Sequence, residues 1–384
     1  MVISLNSGLL RDSRVLVLSQ RQIQKHVSSC VRYEFEDLIN SFDTIDMVVP
    51  ENSYEKSAEA FRWIKRLTRS ARLADALKPD PNPFELDKEY DLFFAHFVSP
   101  WEFLSIRSIK GWRQKCRKAV CCIEELWAKD IYGWQSLLEL IQEFDHVFVG
   151  LSQSAKAITE LTGVPCSYLP PGIDTIKFCP YPTAPKREIE VFNLGRRSPV
   201  THHALLELAE QQGCLYYYDT AGNLSTSEPQ AHRRLLANLS KRSNYFIVNR
   251  AKINQVEQTG GQVEIGYRYF EGAAAGAVMI GDRPDIPAFH QNFDWEDAVI
   301  PMPFDHPHIG EMLTRLNAQP ERLAEIRRQN VVNSLLRHDW VYRWNEILQT
   351  VGIEPTSRML SRKRHLRELA EMLASVQRLP AKVG

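Results

Sequence analysis

An α/β protein made of two consecutive parallel-sheet units is what the 384-residue sequence predicts. Three observations lead there. Short apolar, β-rich runs alternate with helical patterns, and that alternation produces a parallel sheet covered by helices. It stops at the proline- and turn-rich stretch VPCSYLPPGIDTIKFCPYPTAPKRE, residues 164–188, and then starts again. The chain is also too long for one ordinary hydrophobic core and suits two.

The first unit opens with RVLVLS (14–19) as a buried strand, followed by the helical YEFEDLINSF and the strand TIDMVVP. A basic helical segment, SYEKSAEAFRWIKRLTRSARLADAL, leads into KPDPNPF, whose prolines mark a surface loop. YDLFFAHFV, KAVCCIEEL and DHVFVGLS are further strands, with the helix WQSLLELIQEF between the last two. SAKAITELTG is a helix with Ser154 near its N-cap and Gly163 just past its end. In the second unit EIEVFNLG, CLYYYDT, NYFIVN, AVMIGD and AVIPMPF are strands, and THHALLELAEQQG and PQAHRRLLANLS are helices. Three helical stretches follow, from Ile309 to Gly352. The expected division is a first domain over 1–185, a second over 186–350 and a helical tail over 351–384. In that tail Leu366, Leu369, Leu373 and Val376 form one stripe, which reads as a docking face. Arg362, Lys363, Arg364 and Arg367 make its start basic, so a peripheral contact with anionic lipid competes with that plain reading.

Composition narrows the function classes. Lys plus Arg and Asp plus Glu both number 47, so the chain has no global electrostatic footprint for nucleic acid, and no nucleic-acid partner is expected. Seven cysteines, two of them adjacent (Cys121 and Cys122) and none in a C-x-x-C pair, read as free thiols of a reducing cytoplasm. No signal-peptide pattern opens the chain, and no apolar run approaches the roughly 20 residues that span a bilayer. The spacings of dinucleotide, P-loop, serine-hydrolase-elbow and H-E-x-x-H sites do not occur. A resident metal or cofactor is therefore not expected.

The chemistry-bearing stretch is GYRYFEGAAAGAVMIGD, residues 266–282. Read as part of a helix beginning after Gly260-Gly261, it places Glu264 and Glu271 two turns apart on one face, with Arg268 between them. The plain reading is an exposed charge ladder worth a few tenths of a kcal/mol. The functional reading starts from the crevice outside the carboxyl ends of parallel strands, where open α/β sheets bind ligands. A carboxylate there suits the two vicinal hydroxyls of a ribose, and amides near Gly260 and Gly261 suit phosphate. In FNLGRRSP, Arg196 and Arg197 follow a strand directly, where guanidinium groups hold a diphosphate. Arg250, at the end of NYFIVN, is better placed than Lys241, Arg242 or Lys252. His96 and the pair Glu124 and Glu125 end strands of the first unit. His96 and Glu125 are the candidates there for acid–base work, against the plain reading of solvated or locally bonded side chains.

Taken in order, these stretches resemble the GT-B glycosyltransferases, in particular the family-four-like and CgeB-like groups (glycosyl transferases group 1). The resemblance rests on Tyr168 to Pro180, on Gly195 to Arg197, on Arg268, Phe270, Glu271, Ala274 and Gly276, and on His338, Trp340 and Arg343. It spans about residues 145 to 350. It implies two Rossmann-like domains facing each other across a cleft, with a C-terminal helical segment. It also implies transfer of a sugar, with retention and without a metal, from a nucleotide-diphosphate sugar (a UDP- or GDP-sugar) to an acceptor hydroxyl of a saccharide or a lipid-linked or other acceptor. Glu271 would hold the ribose, Arg196, Arg197 and Arg250 the diphosphate, and Glu264 would approach the reacting carbon. The pattern spaces its glutamates eight apart, whereas Glu264 and Glu271 are seven apart. That departure keeps open the reading of a catalytically silent sugar-binding scaffold, and the same fold also admits a sugar-nucleotide epimerase.

Overall fold

A computed structural model describes residues 12–50, 55–78, 84–220 and 224–375. Most of the proline-rich break, Val376 of the tail stripe and the first eleven residues lie outside them. The first unit is a parallel sheet of six strands: β1 (Val15–Leu18), β2 (Ile45–Val48), β3 (Tyr90–Phe97), β4 (Cys116–Ile123), β5 (His146–Val149) and β6 (Cys166–Tyr168). Their order is β2-β1-β3-β4-β5-β6, so the chain reverses its direction of travel between β1 and β3 and opens a crevice at the carboxyl ends there. Side-chain alternation sorts the strands into two faces. Phe93, Ala95, Phe97, Ala119, Cys121 and Ile123 enter one core. Leu92, Phe94, Val120 and Cys122 enter the other, beneath helix α1 (Cys30–Phe42). Helices α2 (Glu55–Thr68), α3 (Ala71–Leu77) and α4 (Ala155–Thr162) cover the first core's side, and the expected helix over 134–144 shortens to one turn, Gln135–Leu138, flanked by tighter turns.

The second unit repeats the architecture with β7 (Ile189–Asn193), β8 (Tyr216–Tyr218), β9 (Ser243–Val248), β10 (Val278–Gly281) and β11 (Ile300–Pro301), all parallel in the order β8-β7-β9-β10-β11. Helices α5 (Pro199–Gln212), α6 (Pro229–Lys241), α7 (Tyr267–Ala274), α8 (Ile309–Asn317) and α9 (Pro320–Arg337) surround it. The apolar run ends in Gly-Asp for a steric reason. Gly281 has φ +144°, and a Cβ there would lie 1.9 Å from the Val248 carbonyl oxygen.

Two assignments differ from the sequence reading. The helix read as starting after Gly260-Gly261 starts at Tyr267, with Gly266 as its N-cap. The glycine pair instead terminates a short helix, Val256–Thr259, with both residues at positive φ. The C-terminal helix α10 (Trp340–Thr350) packs into the core of the first unit's sheet, where the sequence reading gave 340–350 to the second domain, and α11 (Ser357–Ser375) lies chiefly on α9 and also reaches α1 and α10. The i, i+4 pair Trp340 and Trp344 is the cause: Trp340 stacks on Phe35 at 4.3 Å between centroids, and Trp344 meets Phe94 edge-on at 5.2 Å. Leu366, Ala370 and Leu373 of α11 enter the same core.

The chain thus crosses between the units twice, and the crossings are bonded to each other. Ile173 donates its N–H to the His338 carbonyl (3.0 Å), and Trp340 donates to the Ile173 carbonyl (3.1 Å). Asp339 accepts from the Thr175 hydroxyl (2.7 Å) and from Arg362 (2.7 Å). Asp174 caps the short turn 175–178, and Phe178 is fully buried in the second core.

Candidate active site in the inter-domain cleft

The carboxyl ends of both sheets converge on a cavity of about 310 Å³. The first unit supplies His96, Glu124 and Glu125 to its lining, the second supplies Arg196, Lys252 and Tyr267, and the linker residues Leu169 to Pro171 close it beside Trp340. Of the sequence-derived candidates, His96, Glu125 and Arg196 are brought together in this lining, whereas Glu264, Glu271, Arg197, Arg250, Gly260 and Gly261 lie outside it.

His96 and Glu124 come together because they extend the same face of neighbouring strands. His96 follows Leu92 and Phe94 along β3, Glu124 follows Val120 and Cys122 off β4, and His96 is registered against Cys122. His96 Nε2 is 3.4 Å from Glu124 Oε1, and the other oxygen-side partner comes from across the cleft, where the Tyr267 hydroxyl donates to Oε1 at 2.8 Å. Burial pushes the Glu124 carboxyl up to about 7, against the opposing pull of Arg32 and the Tyr267 hydrogen bond. Burial, with Arg32 nearby, holds the His96 imidazole well below its usual range, so the ring is neutral, and its Nδ1 is buried with no partner among the described residues. A neutral imidazole beside a carboxyl that titrates near neutrality is able to pass a proton to or from a hydroxyl in the cavity.

Glu125, the carboxylate chosen from sequence, plays a different part. It sits on the opposite parity and is gripped by Lys252 Nζ and by the Trp127 indole N–H (3.0 Å). Burial works to raise its carboxyl, yet those two bonds hold it below the ordinary value. It is therefore an ion-pair partner of Lys252, and Glu124 takes the acid–base position. Lys252 has φ +51°, a left-handed conformation that a side chain adopts at a cost of order 1 kcal/mol or more. Its ammonium is also 5.2 Å above the Trp127 ring. Lys252, ranked below Arg250 in the sequence, is the one of the two that lines the cavity, and Tyr267 has no local pattern that marks it. Only the turn after β9 and the start of α7, once located, bring them to the cavity.

The remaining candidates are accounted for individually. Arg196 is exposed at the cavity's edge, while Arg197 is tied to Asp219 and lies over the Tyr218 ring at 5.3 Å. Arg250 stands 3.8 Å from Asp282, beside the cavity rather than in it. The amides of Gly260 and Gly261 are spent inside their own turn, Gly260 donating to the Val256 carbonyl (2.8 Å) and Gly261 to the Thr259 hydroxyl (3.2 Å), so they are not free for phosphate. Glu264 is not on a helix with Glu271. It is fully buried and accepts from the amides of Ser152 (2.8 Å) and Gln153 (3.0 Å) of the other unit and from Gln262 (2.7 Å). Glu271 lies one turn behind Tyr267, buried, with its oxygens held by Arg233 and Arg268. Burial works to raise that carboxyl, and the two guanidinium groups hold it below the usual range. Arg233, missed in the sequence, also pairs with Glu34 of α1 at 3.1 Å, and Lys177 reaches Glu34 at 2.7 Å.

Residues 217–349 match the family model described as glycosyl transferase-like. No curated protein matches the chain in sequence. Among solved structures, an alpha-glucosyltransferase in complex with UDP and a 13-mer DNA containing a HMU base superposes with TM-score 0.52 at 11% identity, covering 88% of this chain and 99% of that one. A UDP-forming alpha,alpha-trehalose-phosphate synthase from Burkholderia xenovorans gives TM-score 0.50 at 10% identity, with the same coverage of both chains. At such identities the likeness is one of fold, and it extends over both units and the cleft between them. The chain thus has the two-unit GT-B-type fold of these structures, and the greater part of its second unit matches a glycosyl transferase-like family model.

Proposed function

We propose that the chain transfers a hexosyl group from a nucleotide-diphosphate sugar to an acceptor hydroxyl in the inter-domain cavity. The observation that carries this reading is the meeting of His96 and Glu124 of one unit with Tyr267 of the other on that cavity. The donor is assigned to the second unit's side. There Arg196 and Lys252 meet the diphosphate, with Arg250 beside them, and the N–H groups opening α7, which has no side-chain cap, add to that field. These cations are enough to carry the charge of the departing diphosphate, so a divalent ion is not required by the proposal. Glu271 keeps the ribose in this reading: Arg268, whose side chain is 34% exposed, swings out to release one carboxylate oxygen, while Arg233 stays.

Retention at the transferred carbon is proposed from the family resemblance. An inverted product, seen by NMR of the anomeric proton, would overturn it. The first experiment is a thermal-shift series with UDP-, GDP- and ADP-sugars at millimolar concentration. One nucleotide should raise Tm, by an amount equivalent to about 2.7 kcal/mol when ligand stands at a hundredfold its Kd. No shift with any of them would overturn the donor assignment.

A further inference from the structure

Helices α2 and α3 of the first unit carry a feature that the cleft does not use. Four of the large apolar side chains that the described residues expose fall within fifteen positions: Trp63 at 68%, Leu67 at 74%, Leu73 at 52% and Leu77 at 63%. On α2 Trp63 and Leu67 are four apart, and on α3 Leu73 and Leu77 are four apart, so each pair forms one stripe along its helix. Both helices turn their other faces, with Phe61 on α2 and Ala71 and Ala74 on α3, into the same core, so both stripes point outward. Each stripe is interleaved with cations: Arg62, Arg66, Arg69 and Arg72 are all exposed. Asp75 is turned inward to Arg107 and Lys78, which leaves Glu59 as the exposed acid among residues 57–78. An outward apolar stripe bordered by arginines is costly to leave in water and is the chemistry of a helix lying on an anionic bilayer.

Aromatic contacts lead from the patch to the segment that follows the cavity residue Trp127. The Arg62 guanidinium lies 5.6 Å over the Trp101 ring, and Trp101 meets Trp134 edge-on at 5.5 Å. Trp134 ends the turn segment 128–134, which begins next to Trp127 of the cavity lining. By contrast, the basic tail helix has less to offer. Arg362 is consumed by Asp174 and Asp339, Lys363 lies over the Tyr342 ring, and the apolar stripe of α11 is buried against the core.

We propose that the α2–α3 surface is a docking face for an anionic lipid bilayer, with Trp63, Leu67, Leu73 and Leu77 entering the headgroup boundary and Arg62, Arg66, Arg69 and Arg72 meeting lipid phosphates. The test is co-sedimentation of the full chain with vesicles of phosphatidylcholine alone and of equal parts phosphatidylcholine and phosphatidylglycerol, over a salt series. The chain should bind the mixed vesicles and not the neutral ones. Trp63→Ser with Leu67→Ser, and separately Arg62→Gln with Arg66→Gln, should each lower that binding about tenfold or more, with unchanged Tm. Arg364→Gln with Arg367→Gln on α11 should leave it as it was. Four outcomes would each overturn the proposal: no binding to mixed vesicles at low salt, binding indifferent to the α2 variants, stronger retention on duplex DNA than on vesicles, or a solution dimer that the Trp63 and Leu67 variants dissolve.

Discussion

Glu124 and Glu125 are neighbours in the chain with opposite surroundings, and strand parity alone separates them. Glu124 continues the face of Val120 and Cys122 and reaches His96 and Tyr267, while Glu125 turns to Lys252 and Trp127. That parity is legible in the alternation of KAVCCIEEL. The Tyr267 partner is not, because it stands 143 residues away on the other unit. With its carboxyl at about 7, Glu124 is half ionised near neutrality, so as a proton acceptor it should make kcat/KM rise with pH and level off above about 7. Glu124→Gln should abolish that rise and lower kcat by about 10²-fold or more, while Glu125→Gln should leave the pH profile in place. A pH-rate profile of the two variants checks both. The stability consequence has the opposite sign to the usual carboxylate. A raised carboxyl favours its protonated form in the folded chain, so its contribution is full below about 4.5 and is lost as pH rises through about 7.

Among the elements, regular strands and amphipathic helices are legible as pattern, and the pattern misleads where glycine serves unlike ends. Gly260-Gly261 looks like a helix start yet closes a turn, and Gly266 opens α7 instead. The charges at Glu264, Arg268 and Glu271 have helical spacing, but only the Arg268–Glu271 pair falls within the helix, so the predicted ladder loses its first rung. Leu366 and Leu373 were legible as a docking stripe, but nothing in the sequence said which unit receives them. The linker PPG has its own test. A Cβ on Gly172 would lie 2.3 Å from Cε3 of Trp340, a ring fixed by Phe35, so Gly172→Ala must displace a core tryptophan. Overpacking of this kind costs about 1–3 kcal/mol, and thermal melts should show a lowered Tm. An unchanged Tm would mean that Trp340 is not held as described.

At the scale of the whole molecule, buried charge joins the units. Glu271 and Glu34 share Arg233 from opposite sides of the cleft, and Lys177 adds to Glu34. Burial alone would raise the Glu34 carboxyl, but Arg233 and Lys177 hold it down to about 2. A depressed carboxylate contributes stability that is present above its unfolded value, about 4.3, and is lost as pH falls toward about 2, so acid should loosen the seam between the units. Arg233→Met leaves two buried carboxylates with one cation each, Glu271 with Arg268 and Glu34 with Lys177, and should cost about 3–5 kcal/mol, read from urea unfolding. If the stability of Arg233→Met matched the parent, the seam would not depend on this ladder. No local sequence pattern announces it, since its members lie 38 to 199 residues apart and only folding brings them within reach.

The return of α10 to the first sheet sets an order on synthesis. Arg14 at the start of β1 donates to the Glu354 carbonyl, 340 residues later, and Trp344 donates to Asp43, 301 residues earlier. During synthesis from the N-terminus, α1 therefore emerges long before the aromatic side chains that complete its core. The second unit, whose sheet strands run from residue 189 to 301, emerges whole in the interval. Phe35 and Phe94 wait meanwhile without Trp340 and Trp344. A ribosome-stalled chain ending before residue 338 should thus hold every strand of the second sheet while the first unit's core still lacks its closing tryptophans, inverting the usual N-terminal-first sequence of maturation.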